Sequence, residues 1–439
     1  MAPLVALSKA HPRSMAIHAT SALVGSVFLV DGLLHGEPRH RAAAVMVALP
    51  LLLPLGLIAL MGERALRICN RLAVSAVTLV LLIAGLEVTV RALDVRAFSH
   101  TEVVRDPVYG HVQVPGRGWL DAWGYSNPRV PESADIVCLG DSQTVGTNIP
   151  RQDNYVSAIA RKSGLEVYNM SLGGYGPLQY VEMAKHAMEL EPKAVTIGFY
   201  FGNDLADANR FLGLDHWSEL RDPALSYTVP NDVDYGDKRS LNLAMAVLDG
   251  LMLHSVVLRR VGNDLKLAIK TNERLRGLGS SERGGSVYED AAVGTSLTPR
   301  YRIGFVSLAS PGMRDGLRIT EHCFEQLGAL FAPADVQSAL LLIHNKEFYY
   351  HDLMALRGEE IPPQIARLER LERALTEKII GFAEAAGMAV VDPTEELVQA
   401  LAAGVAVFPA DVDAHLNRAG SEIVGRALWR EIGPAMGGH

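Results

Sequence analysis

Residues 136–144 read IVCLGDSQT, and this stretch decides the fold class. Its first five residues are apolar and rich in β-formers, which is typical of a strand that is buried on both faces. Similar runs recur along the chain, namely VYNMSL at 167–172, AVTIGFYF at 194–201, ALLLI at 339–343 and MAVVD at 388–392. The stretches between them include helical patterns at 153–163, 177–190 and 362–387. Alternating strands and helices predict an α/β fold with a doubly wound, parallel, five-stranded sheet.

Residues that can carry chemistry follow the predicted strands. In a doubly wound sheet the site lies outside the carboxyl ends of the strands, so these residues share one edge. The groups are Gly140-Asp141-Ser142, Gly173-Gly174-Tyr175, Gly202-Asn203-Asp204, His344-Asn345-Lys346-Glu347 and, before the last predicted helix, Asp411-Val412-Asp413-Ala414-His415. This edge therefore holds a nucleophile, glycines with open backbone donors, an amide and an acid–base pair.

The residue types at this edge suit acyl transfer. A serine hydroxyl such as that of Ser142 is a weak nucleophile and needs an adjacent base, for which the imidazole of His415 is suited. A carboxylate fixes the imidazole tautomer and stabilises the imidazolium that forms. Attack on an ester creates an oxyanion, which preorganised N–H donors must meet. Gly174 leaves its backbone N–H uncovered, and Asn203 supplies an uncharged amide donor.

These blocks, in this order from residue 136 to about residue 430, resemble the SGNH hydrolase family, also called GDSL esterases. The resemblance implies that Ser142 is the nucleophile and His415 the base. It implies an oxyanion hole made of the backbone N–H groups of Ser142 and Gly174 and the side-chain amide of Asn203. It also implies that the α/β domain, residues 135–435, has the SGNH type of sheet.

The acid of the triad is left open between two residues. The family commonly has aspartate three residues before the histidine, where this chain has Val412. Asp413 and Asp411 flank that position. Membrane-tethered relatives often show the spacing D-x-H, so the resemblance favours Asp413, with Asp411 as the alternative.

Further residues at the same edge are candidate substrate contacts, namely Asp141, Tyr175, Gln179 and Lys346. Lys346 has a favoured alternative, a solvated ion pair with Glu347. About 130 residues separate the third and fourth predicted strands, far more than an ordinary crossover needs. We therefore expect an insertion at about 206–335 that caps the cleft.

The N-terminal region accounts for the positive mean hydropathy of the chain, +0.14. Residues 42–62 contain no charged side chain, and about 20 apolar residues suffice to cross a bilayer. Together with 14–36 and 72–93, they predict about three transmembrane helices within a membrane anchor at 1–95. Residues 96–134 are then a linker that leads into the α/β domain.

The orientation of the predicted anchor follows from the same spans. Three spans from a cytoplasmic N-terminus place the catalytic domain outside the cytoplasm, although the positive-inside rule favours this orientation only narrowly. Glu87 and Arg91 also resemble the end of the span in membrane-tethered members of the family. The predicted localisation is a multi-pass membrane protein with a periplasmic or otherwise extracytoplasmic domain.

Composition excludes several classes of protein. The 439 residues carry a net charge of −8, which argues against nucleic acid as a partner, and three cysteines cannot form a disulfide scaffold. No metal-ligand pattern is visible and no cofactor is expected.

The resulting prediction is a membrane-anchored serine esterase that acts on acyl esters, with acetyl as the expected group, of a cell-envelope carbohydrate or glycolipid. Its partners would be the lipid bilayer and the acylated glycan. The alternatives are an O-acyltransferase on an envelope polysaccharide, served by a membrane acyl-donor protein, and a non-catalytic scaffold on a decayed hydrolase fold.

Overall fold

A computed structural model describes residues 8–34, 63–92, 103–116, 119–227 and 286–436, together with the single positions 53, 54, 58 and 61. The described residues before 100 and those from 103 onward belong to two separate compact units. Each unit is considered by itself below.

The first unit contains helices α1 (Pro12–Leu34) and α2 (Glu63–Ala92). His18 Nε2 lies 3.0 Å from Asn70 Oδ1, which links the two helices. Among the residues that the structure describes, no helix has both the length and the apolar character that a bilayer crossing requires. The span predicted at 14–36 falls on α1 up to Leu34, and the span predicted at 72–93 falls on α2 up to Ala92. The last residues of these spans and almost all of the span at 42–62 lie outside the described residues.

The second unit contains the strands of the fold. They are β1 (Val103–Asp106), β2 (Gly110–Gln113), β3 (Ile136–Gly140), β4 (Val167–Ser171), β5 (Ala194–Tyr200), β6 (Ser286–Tyr288), β7 (Thr295–Leu297), β8 (Gln337–Ile343) and β9 (Ala389–Val391). Five of them form one sheet in the order β4-β3-β5-β8-β9, in which every pairing is parallel. The predicted α/β fold with a parallel five-stranded sheet is confirmed, and each predicted strand end lies within two residues of the observed one.

The helices of this unit cover both faces of the sheet. They are α3 (Ser142–Val145), α4 (Tyr155–Ser163), α5 (Pro177–Ala187), α6 (Asp204–Phe211), α7 (Pro299–Val306), α8 (Pro311–Phe331), α9 (Lys346–Arg357), α10 (Pro363–Ala385), α11 (Thr394–Ala402) and α12 (Arg418–Ile432). Successive strand residues point to opposite faces. Val137 and Leu139 therefore pack with α5, α6, α8 and α10, whereas Ile136 and Cys138 pack with α4, α9, α11 and α12.

The predicted insertion and the predicted linker both contribute to the packing of this unit. Helix α8, within the predicted insertion at 206–335, contributes Phe324 to the core and approaches α6 so closely that a Cβ on Gly316 would lie 2.0 Å from Leu205 O. The predicted linker at 96–134 folds onto the unit from residue 103 onward. Asp121 fixes its fold by accepting hydrogen bonds from Asn127 Nδ2 at 2.9 Å and from the Tyr168 hydroxyl at 2.7 Å.

Candidate active site at the carboxyl edge of the sheet

Ser142 lies at the turn that joins β3 to the short helix α3. Asp141 is the N-cap of that helix, and its carboxylate accepts a hydrogen bond from Gln143 N at 2.8 Å. The turn is tight, because a Cβ on Gly140 would lie 2.0 Å from Thr144 Oγ1. The β3–α3 turn therefore presents the Ser142 hydroxyl at the carboxyl edge of the sheet, between the ends of neighbouring strands β4 and β5.

His415 connects Ser142 to a carboxylate. Its Nε2 lies 2.8 Å from Ser142 Oγ, and its Nδ1 lies 2.6 Å from Asp413 Oδ1. A carboxylate only accepts hydrogen bonds, so Nδ1–H donates to Asp413 and Nε2 is left to accept the hydroxyl proton of Ser142. The structure brings together the three residues that the sequence singled out, in the geometry of a nucleophile, a base and an orienting acid.

The two candidate acids have different positions. Asp413 contacts the imidazole of His415 and also accepts a hydrogen bond from the His415 backbone N–H at 3.0 Å. Asp411 instead accepts a hydrogen bond from Asp413 N at 3.0 Å, so it shapes the loop. Partial burial acts to raise the pKa of Asp413, but the hydrogen bonds and the charge of His415 outweigh burial and hold the pKa below its usual value. Val412, between the two aspartates, is exposed.

Gln143 holds residues 411–416, which we call the acid loop, next to the nucleophile. The sequence did not indicate this role. Its Nε2 donates to Ala414 O at 3.1 Å, and its Oε1 accepts from Leu416 N at 3.3 Å. These two bonds bracket His415. The Gln143 side chain thus ties the nucleophile to the loop of its base, in addition to the hydrogen bond between Ser142 and His415.

Lys346 lies beneath the acid loop and is buried, with 1% of its surface exposed. Its Nζ donates to Asp411 O at 2.5 Å, to Asp413 O at 2.8 Å and to Thr295 Oγ1 at 3.0 Å, which uses all three N–H groups. Burial lowers the pKa of this amine to about 8, against the opposing effect of Glu347 and Asp411.

The structure contradicts both expectations for Lys346. Its ammonium cannot contact a substrate, because it donates its hydrogen bonds to the acid loop and to Thr295. It is not half of a solvated pair either, because Glu347 is also buried and accepts a hydrogen bond from Thr298 N at 2.5 Å. Burial of both residues could not be foreseen, because strand β7, which covers them, follows a long and non-periodic stretch of sequence.

The predicted oxyanion donors lie around Ser142. A Cβ on Gly173 would be 3.5 Å from Ser142 Cβ, so the loop after β4 lies against the nucleophile. Gly174 has φ of +78°, a conformation that favours glycine. Within the described part of the chain, no hydrogen bond engages the Gly174 N–H. Ser142 is the first residue of α3, so its N–H has no partner within the helix.

Asn203 follows β5 and completes this group of donors. Its Nδ2 donates to Asp207 Oδ2 at 2.6 Å. Burial raises the pKa of Asp207 to about 7, although the bond from Asn203 and the charge of Arg210 oppose this rise. Asp204 is fully buried and accepts a hydrogen bond from the Tyr180 hydroxyl at 2.9 Å.

The other candidate substrate contacts, Asp141, Tyr175 and Gln179, are buried and form hydrogen bonds within the protein, contrary to expectation. Asp141 is completely buried. The Tyr175 hydroxyl donates to His111 O at 2.7 Å. Gln179 accepts from Gly176 N at 3.1 Å and donates to Tyr109 O at 3.2 Å. Tyr109 and His111 belong to the segment that the sequence predicted as a linker, and packing of this segment over the loop after β4 removes these side chains from the surface.

One group of potential metal ligands lies among the described residues, on α9 and α10. It consists of His351, Asp352 and Glu369. Arg373 pairs with both of its carboxylates, through a hydrogen bond to Glu369 and a 3.6 Å ion pair with Asp352. None of these residues belongs to the Ser142 site.

No protein-family model matches the chain, and no curated protein matches it. Among solved structures, the chain is similar to a GDSL-like lipase from Bacteroides thetaiotaomicron, with 10% sequence identity and a TM-score of 0.32 over 70% of this chain and 93% of the other.

Proposed function

We propose that this protein is a serine esterase that acts through an acyl-Ser142 intermediate. The observation that carries the proposal is the continuous chain of hydrogen bonds from Ser142 Oγ through His415 to Asp413, at 2.8 and 2.6 Å. Buried structural serines and histidines have no need of this order of nucleophile, base and acid at a sheet edge.

The first half of the reaction forms the acyl-enzyme. Ser142 Oγ attacks the ester carbonyl carbon while His415 Nε2 takes the hydroxyl proton, and Asp413 stabilises the resulting imidazolium. The tetrahedral intermediate then expels the alcohol, which receives the proton from His415. The bond formed is the Ser142 acyl ester, and the bond broken is the ester bond of the substrate.

The second half releases the acyl group. A water molecule attacks the acyl-Ser142 carbonyl, and His415 Nε2 takes its proton. The intermediate collapses, the acid leaves, and His415 returns the proton to Ser142 Oγ. If a sugar hydroxyl takes the place of water, the same residues perform an O-acyl transfer.

Both halves create an oxyanion that the donors around Ser142 can stabilise. In the proposed mechanism the backbone N–H groups of Ser142 and Gly174 donate hydrogen bonds to the oxyanion, and the Asn203 amide is the third donor. Asp207 keeps its own bond to Asn203 and so holds the amide in place throughout the reaction.

The substrate class and the location form a second part of the proposal. We assign the protein to the cell envelope, as a membrane-anchored enzyme whose catalytic domain is extracytoplasmic and removes acyl groups, with acetyl as the expected group, from a carbohydrate or glycolipid. The support is the uncharged apolar run at 42–62 and the flanking apolar stretches. A reporter fused after residue 100 that is active only in the cytoplasm would contradict this placement.

The experiment for the catalytic proposal uses the full-length protein in detergent. It is incubated with p-nitrophenyl acetate in the presence and absence of an envelope oligosaccharide, and free acetate and acetyl-sugar are quantified. Acetate release that is lost in Ser142→Ala supports the esterase. Acetyl-sugar as the main product assigns the transferase instead. If the folded wild-type protein forms neither product from a panel of acyl esters, the non-catalytic alternative gains and the proposal fails.

Lys346 leads to a prediction for the pH dependence of this activity. The ammonium form donates to three acceptors, whereas the neutral amine has only two N–H groups, so one acceptor of the acid loop loses its donor. With a pKa of about 8, the charged form predominates below this pH and activity is lost as the pH rises through it. The charged groups that face Lys346 are Glu347, Asp411, Arg302 and Asp413. We expect an alkaline limb of kcat/KM near pH 8.

The variant Lys346→Met tests this origin of the limb. We expect kcat/KM to fall about tenfold, since charge-assisted hydrogen bonds to the loop are removed, and the limb near pH 8 to disappear. Lys193→Met is the matched control, because the Lys193 ammonium forms an exposed ion pair with Asp135. If kcat/KM of Lys346→Met still falls near pH 8 as in the wild type, the fall is caused by another group.

A further inference from the structure

His111 lies beside the predicted oxyanion loop, although it comes from strand β2, which precedes the sheet in the sequence. It is 6% exposed. A Cβ on Gly174 would lie 3.6 Å from His111 Cε1, so the imidazole packs directly against this glycine. His111 Nε2 lies 3.0 Å from Gly173 O. The imidazole thus contacts both residues of the loop that lies against Ser142.

The hydrogen bond from His111 acts on a single peptide unit. A carbonyl oxygen only accepts, so Nε2 carries the proton and donates it to Gly173 O. The Gly173 carbonyl and the Gly174 N–H belong to the same planar peptide, in which the two bonds point in opposite directions. A donor that fixes the carbonyl therefore fixes the direction of the N–H, and it also polarises the peptide so that the N–H becomes a stronger donor.

The surroundings of His111 favour its neutral form. Burial lowers its pKa and the charge of Arg210 acts in the same direction, while the bond to Gly173 opposes them. In the neutral imidazole one nitrogen donates, here Nε2, and the buried Nδ1 has no partner within the described part of the chain. The Tyr175 ring packs edge-on against the imidazole, with centroids 5.1 Å apart, and restricts its rotation.

A second hydrogen bond joins strand β2 and the loop after β4, this time from a side chain of the loop to the backbone of the strand. The Tyr175 hydroxyl donates to the backbone carbonyl of His111 at 2.7 Å. The side chain of His111 thus holds the backbone of the loop, and the side chain of Tyr175 holds the backbone of β2. Two consecutive glycines would otherwise leave the Gly173–Gly174 peptide free to rotate.

We propose that His111 is a positioning residue of the oxyanion hole, which aims the Gly174 N–H at the oxyanion by holding the Gly173 carbonyl. This inference rests on the proposed esterase function. It makes the hairpin of β1 and β2 part of the catalytic apparatus. His111 does not touch the reacting atoms; it acts through the peptide that does.

The test compares two variants of the full-length protein. His111→Phe keeps an aromatic ring but removes the donor, and His111→Gln keeps an amide N–H that can reach Gly173 O. We expect kcat to fall about tenfold in His111→Phe with KM unchanged, and to stay within about threefold of wild type in His111→Gln. Asn203→Ala, which removes an oxyanion donor directly, provides the reference and should lose about 10²–10³ in kcat.

A trifluoromethyl ketone inhibitor gives a readout that a merely structural role would not move. It adds to Ser142 to form a hemiketal oxyanion, so its affinity should weaken in His111→Phe by the same factor as kcat. Unchanged kcat and affinity in a folded His111→Phe protein, or a rise in KM alone, would overturn the inference. If phenylalanine prevents folding, His111→Leu takes its place as the variant without a donor: a tenfold loss of kcat and affinity that His111→Gln restores supports the inference, and no loss in His111→Leu overturns it.

These outcomes are distinct from failure of the proposed function. If wild-type protein neither hydrolyses acyl esters nor binds the trifluoromethyl ketone, the esterase proposal itself fails. If wild-type protein does both and His111→Phe behaves like wild type, only the role of His111 is wrong.

Discussion

Replacing Ser142 with alanine is expected to reduce kcat for acyl-ester hydrolysis about 10⁶-fold, and His415→Ala to reduce it by a similar factor. The reason is that nucleophile and base work as one unit across the 2.8 Å hydrogen bond between them. The double variant should therefore lose no more than either single variant. Steady-state rates on p-nitrophenyl acetate, measured with protein whose unfolding temperature matches wild type, check this expectation.

A matched control for Ser142 is available on helix α4. The hydroxyl of Ser163 donates to Ile159 O within the helix, so Ser163→Ala changes a serine without changing the site. It should retain full activity. If Ser142→Ala kept more than about a tenth of the wild-type rate, the acyl-Ser142 mechanism would have to be abandoned.

The second large effect is expected from Asp413→Asn, with a loss of about 10⁴-fold in kcat. Asp413 accepts from Nδ1–H of His415 at 2.6 Å and so leaves Nε2 free to take the proton of Ser142. Asparagine in its place can donate to Nδ1, which favours the tautomer that carries its proton on Nε2. That tautomer cannot act as a base toward Ser142.

Asp411→Asn is the matched control for this variant. Asp411 Oδ1 accepts from Asp413 N, and the asparagine oxygen can accept the same bond, so activity should stay within about threefold of wild type. Equal losses in the two variants would contradict the assignment of Asp413 as the acid. A larger loss in Asp411→Asn would reverse the assignment.

The sheet and the reacting residues were predictable because their signals are local. Strands buried on both faces have apolar runs such as IVCLG, and the carboxyl ends of parallel strands meet at one edge. Residues that directly follow those strands, such as Ser142 and Asn203, are therefore brought together whatever the details of packing. His415 lies far along the chain, and its role as the base was predicted from the resemblance of residues 413–417 to the late D-x-H-L-N block of SGNH hydrolases.

The residues that support the site were not predictable, because their roles depend on contacts between distant segments. Lys346 was expected at the surface, but a strand from the insertion covers it and supplies Thr295 as a partner. Tyr175 and Gln179 were expected in the cleft, but the hairpin that carries His111 engages them. A single histidine in a four-residue strand has no sequence signal that distinguishes it from a surface residue. Burial and partners for such residues are decided by tertiary packing alone.

The most direct test of the central claim is covalent labelling of the folded, full-length protein with a fluorophosphonate, followed by mass spectrometry of its peptides. A serine activated by His415 should form one phosphonyl adduct, located on Ser142, and the adduct should be absent from His415→Ala. No adduct on the folded wild-type protein, or an adduct on another residue while Ser142 stays unmodified, would contradict the assignment of Ser142 as the nucleophile.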